Sequence, residues 1–217
     1  MNVTKLQESL GDDVCLALPG FHSITGTDYT SSFVYKGKKR PFDIARASPE
    51  VLGSLRAMAE SESLRKQDED ILQRYICSLY GAKHKMSLNL NELRFTLVEK
   101  VYSAKPSSKY PLGNLRGLNP CTIPPCMAEF TAHLKRSCFI ARMWADADKS
   151  QIRQHPTAEN GWNLMDGLYQ PIWFEGNQMP DELVPITGPE QESGSEDESE
   201  YEFEEGESTD ESDFEEQ

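Results

Sequence analysis

Acidic charge in this 217-residue chain is confined largely to one end. Residues 190–217 hold 15 of the 36 Asp and Glu and none of the 22 Lys and Arg. Residues 1–189 therefore balance 21 acids against 22 bases, and the formal charge of -14 belongs to the tail. A segment of like charges with few apolar residues cannot bury enough surface to offset the entropy of ordering its backbone. Any fold must be built upstream, and residues 186–217 are expected to be disordered. Serines followed by acids over 193–199 suit an acidophilic kinase, and each phosphate would add roughly -1.5 to -2 of charge. Tyr201, Phe203 and Phe214 stand among the acids. The tail reads first as a solubilising segment. It could also dock a basic protein, or fold back on the basic residues near position 38.

Upstream, apolar residues recur at helical spacing between capping signals. Asn2 heads a short helix with Val3, Leu6 and Leu10 on one face, and Gly11 ends it. Asp12 or Asp13 starts a second, expected to break near Pro19-Gly20. Pro41 presets a first helical turn, with Phe42, Ile44 and Ala45 as its apolar side. Ser48-Pro49-Glu50 joins a hydroxyl cap, a proline and an acid, ahead of Val51, Leu52, Leu55 and Met58. Further helices are predicted over 68–80, over 91–103 with Asn91 as its cap, and over 124–147. In the last, Met127, Phe130, Leu134, Ile140, Ala141 and Trp144 form the buried stripe, and Lys135, Arg136 and Arg142 the wet side. Residues 105–123 read as a connection. Beyond Pro156 the apolar anchors Trp162, Trp173 and Phe174 follow neither helical nor strand periodicity, and are expected to lie back on a core.

These elements imply a mainly α fold in segments 1–104, 105–123, 124–185 and 186–217. No apolar run approaches the roughly 18–20 residues of a spanning helix. The N-terminal stretch lacks the apolar centre of a signal peptide. An intracellular setting, nucleus or cytoplasm, is the default expectation, with no membrane partner. Five cysteines at irregular spacing fit free thiols better than a disulfide framework.

Special residues cluster most densely over 18–42. Asp28 follows Gly26 by two residues and carries two readings, a helix cap and a metal ligand. His22, between Phe21 and Ile24, reads as a packed histidine. Lys36, Gly37, Lys38, Lys39 and Arg40 combine a glycine turn, four cations and a following helix. That arrangement can offer backbone N–H groups and charge to a phosphate, or be an ordinary solvated loop. Cys121, Cys126, His133 and Cys138 invite a zinc reading, but their spacing is not that of a common finger, and three of them fall on one predicted helix. Buried or partly buried thiols are the plainer account.

Gly26-Thr27-Asp28-Tyr29, then 36–40 and a helix, resembles the second half of flap-endonuclease-type, PIN-like nuclease domains. A wider likeness covers about residues 2–185. It is carried by 18–33, Tyr80-Gly81, Leu93-Arg94-Phe95, Pro124-Pro125, His133-Leu134-Lys135-Arg136, Trp144, Gly161-Trp162 and Trp173. It is similar to animal proteins derived from mobile elements. The resemblance implies a helical fragment of a PIN-like α/β nuclease fold with a helix-hairpin-helix-like motif. Asp28 would be a relic of a carboxylate cluster around paired divalent ions, and 36–40 a hairpin on duplex phosphates. Thr27 stands where that family usually has cysteine, and Tyr35 where its hairpin has the first glycine. The family's other metal-binding acids lie on a portion that would precede Met1. The expectation is a non-catalytic remnant that binds nucleic acid, needing no cofactor. Magnesium or manganese would enter only if other residues completed the site, making a metal-dependent nuclease. The remaining alternative is an interaction protein acting through its acidic tail.

Overall fold

The computed structural model describes residues 2–81, 89–103, 122–150 and 158–175. The acidic tail, Cys121 and nearly all of the connection expected over 105–123 lie outside them. Seven α-helices account for most of the described chain: α1 Val3–Leu10, α2 Asp12–Ile24, α3 Lys39–Arg46, α4 Pro49–Glu60, α5 Lys66–Leu79, α6 Leu90–Ser103 and α7 Met127–Ala145. One antiparallel hairpin follows, β1 Trp162–Met165 with β2 Leu168–Pro171. No helix among the described residues is long and apolar enough to cross a membrane.

Several starts lie where the sequence puts them. The Asn2 side chain accepts from the Lys5 N–H, and the Ser48 hydroxyl from the Val51 N–H at 3.4 Å. Helix α6 begins one residue before its expected start and uses a different cap. Asn89, not Asn91, closes a reciprocal box with Glu92, at 2.9 Å and 3.0 Å. Asn91 instead reaches across to α7, where its side-chain oxygen accepts from the Met127 N–H at 3.2 Å.

Helix α2 runs unbroken through Pro19-Gly20, against expectation. An interior proline removes one helical hydrogen bond and costs about 3 kcal/mol in an exposed helix. Here Ala17 on one side of it, and Gly20, Phe21 and Ile24 on the other, are buried against the protein. Burial of large apolar side chains, at about 1.5–3 kcal/mol each, outweighs that loss. Gly20 is a notch for α4: a β-carbon on it would lie 2.1 Å from the Leu55 carbonyl oxygen.

Helices α2, α4 and α7 pack on one another around Ile24, Leu55, Met58, Phe130 and Ala141, and α5 closes the cluster with Leu72, Tyr75 and Ile76. Among the described residues the helices thus close on each other, and the sheet is a single two-stranded hairpin. Helix α7 is buried nearly all round, and this corrects the wet side predicted for it. Arg136 and Arg142 are 4% and 2% exposed, and only Lys135 of the three faces water. Arg142 donates to the carbonyls of Ser61 at 3.1 Å and Glu62 at 2.6 Å, just beyond the end of α4.

The hairpin is also absent from the sequence reading. Its turn is Asp166-Gly167, both with positive φ (52° and 77°), the pairing that two-residue hairpin turns favour. The strands are mostly exposed, so no buried face imposed the alternation that reveals a strand. Trp162 anchors them against Phe139 and Ile140 of α7. Of the other expected anchors, Trp144 is half-buried and Trp173 is 61% exposed.

The crossing at Gly20 yields a direct test. Gly20→Ala should cost on the order of 3 kcal/mol by urea unfolding, because the neighbour it meets is backbone and cannot rotate away. Gly53→Ala, in α4 with open space around the new methyl, should stabilise by about 0.5–1 kcal/mol. Equal effects at the two sites would show that the helices do not cross as described.

Candidate nucleic-acid interface

The residues singled out over 18–42 gather at the C-terminus of α2. The last turn of any helix leaves carbonyls without intrahelical partners. Here each has a side chain on it. The Ser23 hydroxyl donates to the Gly20 carbonyl at 3.0 Å, and Thr25 to that of Phe21 at 2.7 Å. The Ser23 carbonyl accepts from Thr30 at 2.7 Å and from Ser137 of α7 at 3.3 Å. His133 Nε2 lies 2.9 Å from the Ile24 carbonyl and donates to it. Gly26 turns the chain with φ 104°, so tightly that a β-carbon there would sit 2.6 Å from the Ser32 α-carbon. Thr27 then organises the turn, its hydroxyl accepting from the N–H groups of Tyr29 and Thr30.

Lys38 completes this cap. Its ammonium lies 2.7 Å from the Gly26 carbonyl, 3.2 Å from that of His22, 3.0 Å from the Thr25 hydroxyl and 2.7 Å from His22 Nδ1. A cation at the negative end of a helix dipole is well placed, and three of these partners are polar oxygens. Partial desolvation lowers the Lys38 pKa. Desolvation, with the neighbouring ammonium second, lowers that of His22. His22 is accordingly a neutral acceptor stacked on Trp144 at 5.2 Å, at the surface rather than in the core.

The other cations are divided. Lys36 sits 4.6 Å from the Tyr80 ring centroid, a cation–π contact. Lys39 and Arg40 are exposed at the first turn of α3, and no carboxylate among the described residues pairs with either. Gly37 is exposed beside them, with open space at its α-carbon. Helix α3 starts two residues before Pro41, so the backbone N–H groups of Lys39 and Arg40 belong to its open N-terminal turn. Asp28 is exposed in the loop between α2 and α3, where no helix begins, so it is not a helix cap.

The zinc candidates are held apart. Cys126 and Cys138 are twelve residues distant along a helix rising about 1.5 Å per residue, so about 18 Å separates them. Cys126 caps α7 by accepting from the Glu129 N–H. Burial pushes the Cys138 thiol up to about 12, which disfavours the thiolate a metal needs. Among the described residues no group of three or more His, Cys, Asp or Glu converges.

Burial holds His133 down at about 4 from an ordinary 6.5, and its Nδ1 is buried without a partner. Between those pH values the unfolded chain binds a proton that the folded chain excludes. Stability is therefore full above pH 6.5 and falls as pH drops toward 4. Urea unfolding should show a loss on the order of 2 kcal/mol between pH 7.5 and 5. A His133→Gln variant should lack most of that slope; an unchanged slope would place the titration elsewhere.

Comparison with known proteins gives no match: no family model, no curated protein and no solved structure pairs with this chain.

Proposed function

We propose that this chain is a non-catalytic nucleic-acid-binding module, the remnant of a mobile-element-derived PIN-like nuclease, and that Lys39 and Arg40 carry the binding. The observation behind this reading is the division of labour among the four cations. Lys38 is spent on the end of α2, which fixes the backbone of 36–40 against a buried helix. Lys39 and Arg40, one step further on, remain exposed and without carboxylate partners among the described residues, beside the open N-terminal turn of α3. Backbone N–H groups at a helix start, flanked by two exposed cations, suit phosphate oxygens of a nucleic-acid strand. Such contacts position a duplex without reading its sequence.

Within this reading Asp28 is an exposed carboxylate next to the phosphate path and takes no chemical part. Lys36, held over Tyr80 and lowered by desolvation and by Arg40, contributes field rather than a direct contact.

The test separates binding from folding. Duplex DNA should bind weakly at low salt. Lys39→Glu with Arg40→Glu should abolish that binding, with the unfolding midpoint unchanged within about 0.5 kcal/mol. Lys38→Met should instead lower stability by about 1 kcal/mol, because it strips an ion-assisted cap from the part-buried Gly26 carbonyl and the surface His22 carbonyl. Absence of duplex binding at low salt, or binding indifferent to the double substitution, would refute the assignment. Magnesium-dependent cleavage abolished by Asp28→Ala would overturn the non-catalytic half of it.

A further inference from the structure

A cavity of about 330 Å³ opens beside this loop, between the 31–34 segment, the end of α5, α6, α7 and Trp173. Its floor carries an enclosed guanidinium. Arg136 is 4% exposed, and donates one hydrogen bond to the Ile172 carbonyl at 2.6 Å. No carboxylate pairs with it among the described residues, and the guanidinium N–H groups not on Ile172 open to the cavity rather than being fully buried. A largely buried cation without a counter-charge is partly desolvated, and an anionic ligand in the cavity offsets that cost.

The remaining walls fit a flat ring with a phosphate attached. Arg94 lines a second side, one of its nitrogens on the Pro124 carbonyl. Lys36 does not line the cavity but sits 4.6 Å from the ring of Tyr80, which does. Among the described residues the acid lining the cavity is Glu129, whose Oε2 accepts from the Cys126 N–H at 3.2 Å. Flat surface comes from Trp173, 61% exposed with the Arg136 guanidinium 4.9 Å from its ring, and from Phe33 and Tyr80, set edge to face at 6.4 Å. Ser31 and Ser32 are also among the lining residues. The volume is at the small end of the range for organic ligands.

We propose that this pocket receives one nucleoside monophosphate unit, its phosphate between Arg94 and Arg136 and its base against Trp173. The unit comes from a free mononucleotide or from an unpaired nucleotide within a strand; both present the same chemistry. The site is distinct from the Lys39–Arg40 contact and does not depend on it.

Calorimetric titration of the full chain tests the site with four probes: AMP, a ten-nucleotide oligothymidylate, adenosine and inorganic phosphate. Saturable binding of AMP, of the oligonucleotide, or of both is expected, and the pattern identifies the source. Adenosine and phosphate alone should bind at least about tenfold more weakly, because each satisfies half of the site. Arg94→Gln and Trp173→Ala should each weaken binding about tenfold or more. Trp173 is exposed, so its loss leaves the core intact. Lys39→Glu should leave AMP affinity unchanged, which separates this site from the loop. No saturable binding of either nucleotide probe, or affinity indifferent to Trp173→Ala and Arg94→Gln, would overturn the proposal.

Discussion

The end of helix α2 is the constraint on which the rest of this structure depends. A buried helix terminus exposes several carbonyl oxygens to a medium without water, and each unsatisfied one costs a few kcal/mol. In this chain the Gly20, Phe21, Ser23 and Ile24 oxygens are buried, and that of His22 lies at the surface. Ser23, Thr25, Thr30, Lys38, His133 and Ser137 all turn to them. The path of residues 26–38 is set by bringing Thr30 and Lys38 back to the helix they have just left. The position of α7 is set in part by bringing His133 and Ser137 to the same place.

Helix α7 answers similar demands elsewhere. Arg142 supplies donors to the carbonyls just beyond α4, and Arg136 holds the Ile172 carbonyl after the hairpin. One long helix thus joins two helix ends and one loop through polar side chains while its apolar residues fill the core between them. Gly20 sets how closely α2 and α4 approach beneath it. The polar and apolar parts are coupled: a shift of α7 along its axis would open the core and strand carbonyls together.

This arrangement reassigns the chemistry of the most distinctive stretch. Lys38, one of the cations read as a phosphate grip, serves with neighbouring hydroxyls as a helix cap. The exposed cations left over lie at its edge, at the start of α3, and the arginine-bearing cavity lies beside the loop.

The helices were legible in the sequence because their signals are local: hydroxyl and amide caps, a proline in the first turn, apolar residues three and four apart. The special character of residues 18–42 was legible for the same reason, and so was the candidacy of Lys39 and Arg40. A pattern of charge along one helix cannot report which arginine has a carbonyl waiting for it on another, so Arg136 and Arg142 were misread as solvated. The Pro19-Gly20 pair looked like a break because propensity is local, whereas the burial that overrides it comes from α4 and α7. The Asp166-Gly167 turn was a readable signal left unused, since its strands lack a buried face to mark them. The sequence determined by itself where the chain can coil and where its acidic charge is concentrated. Which polar groups serve the fold and which remain free to bind was decided only by tertiary structure, because buried carbonyls claim the nearest donors in space, not in sequence.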